Sequence, residues 1–434
     1  MNKEDLKKIK VLYYPYKAVK RIITGIIYYV QYTISLFFIS KNKKRVDKKI
    51  DNNEVLNVVF VVQYIPGWNK LEPIYSKMQK DQRFNPIIVC VPLNIQNHIL
   101  LDDNGNDTYK YFIEHGYKAI DALLDDGSWF DLKQLKPDYL FHSRPYNAFM
   151  PRCYTSDRIV RYALICNVLY GASVTTDMRA VTINNEYFRD VFCFFASDVS
   201  EKIYYEKRFR MGCSCEIQKC YPFGAIGLEQ MLKSKSIQKN NTFCKTVIWT
   251  PRWSTDPKIG GSNFFNYKDF ILSFAKKNED ILFVFRPHPL MFGHFIKTGE
   301  MAVSEVKEFK KICEHEHNLI LDESKEYSDT FWNSDILISD ISSIVTEYFI
   351  TQKPIIYCHS HINYEYSEPS KAMIESCYEA FNEHDLEKAL VNLLNNVDEK
   401  RNDRKEIITK YFDGVEKSSA NIVYILAKGR DSLQ

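Results

Sequence analysis

From residue 55 onward the chain alternates short apolar runs with stretches whose apolar residues recur at helical spacing. "VLNVVFVVQYI" (55–65) predicts a buried strand, "KLEPIYSKMQKD" (70–81) a helix and "NPIIVCVPL" (85–93) a second strand, which together make a βαβ unit. Further strands are predicted at 139–142 ("YLFH"), 163–168 and 191–196. A polar stretch, "KSKSIQKNN" (233–241), has the composition of a linker. The alternation then restarts with "TVIWTPRW" (246–253), "DILFVFRPHP" (280–289) and "DILISDISS" (335–343). The pattern is that of an α/β protein with parallel sheets. It divides the chain into an N-terminal segment 1–50, a Rossmann-like domain 51–230, a linker 231–245 and a second Rossmann-like domain 246–434.

The N-terminal segment has a different texture. "IITGIIYYVQYTISLFFI" (22–39) is 18 residues long, at the short edge of the roughly 20 that a membrane span needs, and contains Thr24, Gln31, Thr33 and Ser35. Ile23, Ile26, Ile27, Val30, Ile34, Phe37 and Phe38 fall on one helical stripe, while Gln31, Tyr32 and Ser35 fall away from it. Basic residues flank both sides, which disfavours a span. A basic amphipathic helix lying in the plane of an anionic membrane surface fits better. A helix packed on the protein's own body is the plainer alternative.

Charge follows the same division. Residues 1–49 hold 11 Lys and 2 Arg against Glu4, Asp5 and Asp47, a net of +10, so the overall +3 leaves −7 for the other 385 residues. An acidic body argues against nucleic acid as a partner. Eleven cysteines scattered along 434 residues suit reduced thiols better than a disulfide framework. No secretory signal is expected.

Candidate chemistry collects where the strands of the second half end. One stops at Thr250, Pro251 and Arg252. The next stops at Arg286, Pro287, His288 and Pro289, where two prolines restrict the backbone around the histidine. The third stops at Ser339, Asp340, Ser342 and Ser343, ahead of a helix carrying Glu347. In open parallel sheets ligands lie beyond the carboxyl ends of the strands, so the three ends should converge on one anion pocket. Backbone N–H groups and serine hydroxyls at a helix start suit phosphate oxygens, and Glu347 one turn further can accept from ribose hydroxyls. Asp340 and Ser342 acting only as helix caps is the plainer alternative.

Two such domains facing a central cleft is the arrangement called GT-B in glycosyltransferases. "TPRW" (250–253), "RPHP" (286–289), "SDISSIVTEYF" (339–349) with "KP" (353–354), and "FDGVEKSSANIV" (412–423) resemble the CDP-glycerol glycerophosphotransferases, the teichoic-acid primases and polymerases, most strongly over about 245–425. The resemblance implies transfer of a polyol phosphate from a CDP-polyol donor to a lipid-linked or glycan acceptor at the cytoplasmic face of the cell membrane, with CMP released. It places His288 against the donor diphosphate, Ser342 and Ser343 on its oxygens and Glu347 on the nucleoside sugar. Thr250, Ser339 and Asp340 join the donor set, and Arg252 and Arg286 are added here as charge neutralisers. An imidazolium and two guanidiniums can stabilise the developing charge, so neither metal nor cofactor is expected.

One position departs from the family. Where the relatives carry a catalytic His-Gly in the N-terminal domain, "CNVLYGASVTT" (166–176) places Tyr170 before Gly171. A neutral tyrosine with an ordinary pKa of about 10 is a poor base. Tyr170 can be a perturbed base or orient the acceptor, His142 or Asp177 can replace it, or the chain can have lost the family reaction. Two rival functions follow: a glycosyltransferase using a nucleotide sugar, and a non-catalytic membrane-bound subunit of a polymer assembly complex. "CSCEIQKC" (213–220), "HEH" (315–317) and "HSH" (359–361) lack a second ligand pair at zinc spacing. "LDDNGND" (101–107) and "DDGSW" (125–129) read as solvated turns.

Overall fold

A computed structural model describes residues 10–63, 65–95, 98–99, 106–234, 243–256, 261–324, 327–360 and 362–428. Strands β1 (Leu56–Val62), β2 (Phe84–Cys90), β5 (Ala119–Asp121), β6 (Tyr139–His142), β7 (Leu164–Val168), β8 (Val191–Phe195) and β9 (Lys219–Tyr221) form a parallel sheet in the order β5-β2-β1-β6-β7-β8-β9. A short ribbon, β3 (Asn94–Ile95) with β4 (His98–Ile99), follows β2. The second sheet is parallel in the order β12-β11-β10-β13-β14-β15, from β10 (Lys245–Thr250), β11 (Ile281–Phe285), β12 (Leu319–Leu321), β13 (Ile336–Ser339), β14 (Ile355–Cys358) and β15 (Tyr378–Ala380). Each order reverses direction at its first strand, β1 and β10, and such reversals open a crevice for ligands.

All eight predicted strands form, as does the first helix, here Glu72–Gln79. Apart from the two-residue β3 and β4, the strands absent from the reading, β5, β9, β12, β14 and β15, are three or four residues long and lie away from the sheet centres. Runs that short carry little periodicity. Of the expected linker, residues up to Ser234 finish a helix, Ile226–Lys233, and residues 235–242 lie outside the described residues. "LDDNGND" lies outside them up to residue 105. Its end is not a solvated turn: Asn106 is buried and caps the helix Asp107–Glu114, accepting from Thr108 N at 3.1 Å.

The N-terminal helix runs from Lys10 to Asp51, about 60 Å at the usual rise per residue. Its two faces have opposite surroundings. Tyr32, Ser35, Leu36, Ile39, Asn42 and Val46 are buried against the first domain, with Ile39 wholly so at 0% exposure. Ser35 Oγ bonds Asp190, Asn42 Nδ2 donates to Val160 O at 2.8 Å, and Arg45 and Lys49 both pair with the buried Asp138. The apolar stripe points the other way: Ile26 is 59% and Phe37 64% exposed, with Ile23, Ile27, Val30 and Ile34 beside them. The polar side of the amphipathic pattern therefore faces protein, because Tyr32, Ser35 and Asn42 meet buried polar partners there. By length and composition alone the helix is also able to cross a membrane.

The chain ends by crossing back. Its last helix, Ser418–Lys428, buries Ile422, Val423, Leu426 and Ala427 in the core of the first domain, and Tyr139 OH donates to Leu426 O at 3.1 Å.

Candidate functional site

The three predicted strand ends are neighbours. β10 lies between β11 and β13, with Thr250 opposite Ser339, and Arg286 N donates to Trp249 O at 2.9 Å. Beyond them the loops lock together through Asp340. This buried carboxylate accepts from Arg252 N at 2.8 Å, Asn263 N at 3.2 Å and Asn263 Nδ2 at 2.9 Å. Burial raises its pKa, and those N–H donors pull it back. Thr250 Oγ1 donates to Ser339 Oγ at 2.8 Å, so this pair joins two strands to each other. Arg252 Nη1 donates to Ile341 O at 2.6 Å, which ties its guanidinium across the same turn, and burial lowers its pKa.

His288 stands half-buried beside Trp253, with ring centroids 6.3 Å apart. Its Nδ1 accepts from Leu290 N at 3.2 Å, so the neutral ring carries its proton on Nε2. Desolvation, helped by the nearby Arg252 charge, lowers its pKa to about 4. The histidine is thus neutral at pH 7 before any anion arrives, which corrects the imidazolium expected from sequence. Arg286 is already engaged: Nη1 meets Asp322 Oδ2 at 2.6 Å, and Nη2 donates to Ser324 O at 2.7 Å. Its charge fixes the loop after β12.

Ser342 caps the helix Ser343–Phe349, accepting from Ile344 N at 3.4 Å. The opposite domain meets that helix start. A Cβ on Gly171 would stand 3.1 Å from Ser343 Oγ, so the Tyr170-Gly171 turn approaches as closely as it does because it has no side chain there. Tyr170 OH lies 3.2 Å from Tyr146 OH, and its electrostatic influence on Arg252 sets it on the side of that loop.

His142 is corrected as a base candidate. It is 1% exposed, with Nδ1 against Tyr187 OH at 2.9 Å and Nε2 against Tyr154 O at 3.0 Å. Desolvation lowers its pKa to about 4, and both ring nitrogens are spent inside the core. Asp177 sits exposed in the first turn of the helix Thr176–Thr182.

Glu347 is buried, and its carboxylate meets side chains that sequence reading did not flag: Lys70 at 2.8 Å and the hydroxyl of Tyr327. Nothing in "PGWNK" (66–70) marks that lysine as buried; only the other domain brings a carboxylate to it. Asn263 was missed likewise. The lysine of "KP", Lys353, donates to Ser334 O at 2.5 Å and Phe331 O at 3.3 Å, and burial lowers its pKa to about 8. It closes the end of the helix Ser328–Trp332. The late motif is a staple: Ser419 N and Oγ donate to Glu229 at 2.7 and 2.6 Å, fastening the last helix to the helix Ile226–Lys233.

Known structures share the architecture of the two domains. Among solved structures, a UDP-GlcNAc 2-epimerase from Neisseria meningitidis bound to UDP-GlcNAc shares 15% identity and covers 86% of this chain and 100% of its own, with a TM-score of 0.56. S. aureus MnaA in a co-structure with UDP shares 13%, covering 86% of this chain and 98% of its own, TM-score 0.58. A variant of the wall teichoic acid polymerase TagF shares 14%, covering 94% and 97%, TM-score 0.52. No curated protein matches by sequence. The fold class is therefore α/β of GT-B-like architecture, two parallel-sheet domains about a cleft. Within that class, residues 228–426 match the family described as CDP-Glycerol:Poly(glycerophosphate) glycerophosphotransferase.

Proposed function

We propose that the protein moves a polyol phosphate, glycerol or ribitol phosphate, from a CDP-linked donor to a hydroxyl of a lipid-linked or glycan acceptor in cell-wall polymer synthesis. The acceptor oxygen bonds to the phosphorus bearing the polyol, the bond from that phosphorus to the bridging oxygen breaks, and CMP leaves with the electron pair. His288 Nε2–H donates to the bridging oxygen, with Arg252 behind it. Phosphoryl transfer has a loose transition state, so the acceptor proton departs late and a strong base is not essential. Tyr170 then orients the acceptor hydroxyl and passes its proton to water.

The observation that carries this reading is the meeting of Arg252, His288 and Ser343 in one loop cluster with Tyr170-Gly171 of the opposite domain. The outward apolar stripe of the N-terminal helix supports peripheral attachment to the inner membrane leaflet, where a lipid-linked acceptor would be held.

Incubation with CDP-glycerol, CDP-ribitol and a panel of nucleotide sugars, read as nucleotide release, tests it. CMP release from a CDP-polyol is expected. His288→Ala should cut that release by about a hundredfold or more while the protein stays folded. UDP release from a sugar nucleotide would move the assignment to glycosyl transfer, and donor binding without turnover would favour a non-catalytic subunit.

A further inference from the structure

Four side chains from the two domains meet in one buried knot. Asn69 and Lys70 close the short turn of helix Ile65–Lys70 after β1; Tyr327 precedes the helix Ser328–Trp332, and Glu347 lies in the helix Ser343–Phe349. Lys70 Nζ donates to Glu347 Oε2 at 2.8 Å and to Tyr327 OH at 3.2 Å; Asn69 Nδ2 donates to the same hydroxyl at 3.2 Å, and Tyr327 OH donates to Glu347 Oε2. The side chains of Lys70 and Glu347 are 5% and 9% exposed. The Tyr327 ring lies against the Arg286 guanidinium, 5.3 Å from Cζ to the ring centroid. Gly227 makes the room: a Cβ there would stand 2.3 Å from Lys70 Nζ.

We infer that Lys70 is a donor-holding residue supplied by the N-terminal domain, and that the nucleoside's sugar diol binds where the Tyr327 hydroxyl now sits, between the Lys70 ammonium and the Glu347 carboxylate. This rests on the reading of Glu347 as the residue that binds the nucleoside sugar. A vicinal diol offers one oxygen to accept from an ammonium and one hydroxyl to donate to a carboxylate, the complement of this pair. Displacing Lys70 would strand a buried carboxylate, which is costly. Displacing the phenol moves only a neutral group, and it uncovers the face of a guanidinium on which a planar base can stack. The donor is then gripped from both domains, so binding it holds the cleft shut over Ser343 and Tyr170.

Calorimetric binding of CDP and of 2′,3′-dideoxy-CDP to the full chain tests this. The wild type should prefer CDP by about tenfold, the worth of a lost charged hydrogen bond. Lys70→Met should weaken CDP binding by about tenfold and bring the two ligands to near equality. Gly227→Ala gives the same result without removing the charge, because its methyl group takes the place of the flexible end of Lys70 while favouring the helix. Wild-type affinity and diol preference in folded Lys70→Met and Gly227→Ala would reduce Lys70 to a strut and overturn the inference. Glu347→Gln separates the two layers. Loss of preference there with none in the Lys70 and Gly227 variants sinks only this inference, whereas an unchanged preference in Glu347→Gln sinks the reading of Glu347 beneath it.

Discussion

Two histidines close to strand ends are both held neutral, and their partners divide their roles. His288 keeps Nε2–H free of the Leu290 contact that occupies Nδ1, so it can turn a donor toward an arriving phosphate. His142 spends both nitrogens on Tyr187 and Tyr154 inside the core. The depressed pKa of His142 has a thermodynamic consequence with a definite sign. Its folded value of about 4 lies below the ordinary 6.5, so the unfolded chain binds more protons between those pH values. Stability is complete above pH 6.5 and falls as pH drops toward 4. From pH 7 to pH 5 the share of this one group is about 2 kcal/mol. Urea unfolding at the two pH values measures it. His142→Gln should flatten the pH dependence by that amount, and an unchanged slope would show that the imidazole titrates normally in the folded protein.

The N-terminal helix is an element with two faces. Its inner face is part of the first domain's core, with Ile39 and Val46 buried and Arg45 paired with Asp138. Its outer face changes along its length from Ile23, Ile26, Ile27, Val30, Ile34 and Phe37 to Lys41, Lys44 and Lys48. Seating half-exposed aliphatic groups of this size in an acyl boundary contributes on the order of 1 kcal/mol each, and the lysines add attraction to anionic head groups. Cutting away residues 1–49 would also remove core, so it cannot separate membrane binding from folding. Replacing Ile23, Ile26, Ile27 and Val30 by serine does separate them. The variant should stop co-sedimenting with anionic vesicles, while its melting temperature shifts by only a few degrees because those side chains touch little protein. Retention on vesicles would place the lipid contact elsewhere.

At the scale of the whole molecule the two domains are coupled from several sides. Thr176 N donates to Glu365 O and Ser367 N to Val174 O, both at 3.0 Å, along one rim of the cleft. Lys70 and Glu347 join its middle, and the last helix ties the second domain's chain to the first domain's core through Glu229 and Ser419. Glu229→Ala leaves the backbone N–H and hydroxyl of Ser419 without their acceptor at a buried helix start, which costs about 1–3 kcal/mol. Because that helix belongs to the first domain's core, scanning calorimetry should show the first domain destabilised although the substitution lies far from its sheet. Two independent transitions with the first at its wild-type temperature would mean that the helix is not held there by Glu229.

Much of this protein is legible from the chain alone. The long apolar runs of β1, β10 and β11 are buried on both faces of a parallel sheet, so period and composition announce them, and the polar residues just after each strand mark the ends that the fold brings together. Short strands such as β12 and β15, three residues each, have too little pattern to be read. What the sequence could not decide is which polar residues meet. Asp340 reads as a donor-binding residue or a helix cap until Asn263 and the Arg252 backbone close around it. Glu347 reads as open until Lys70, 277 residues away, is carried across the cleft. The amphipathic stripe fixed which side of the first helix is apolar, but only the packed core decided that this side faces outward. The reason is physical: local periodicity is set by neighbouring residues, whereas the charge and burial of a side chain are set by whatever the fold brings against it.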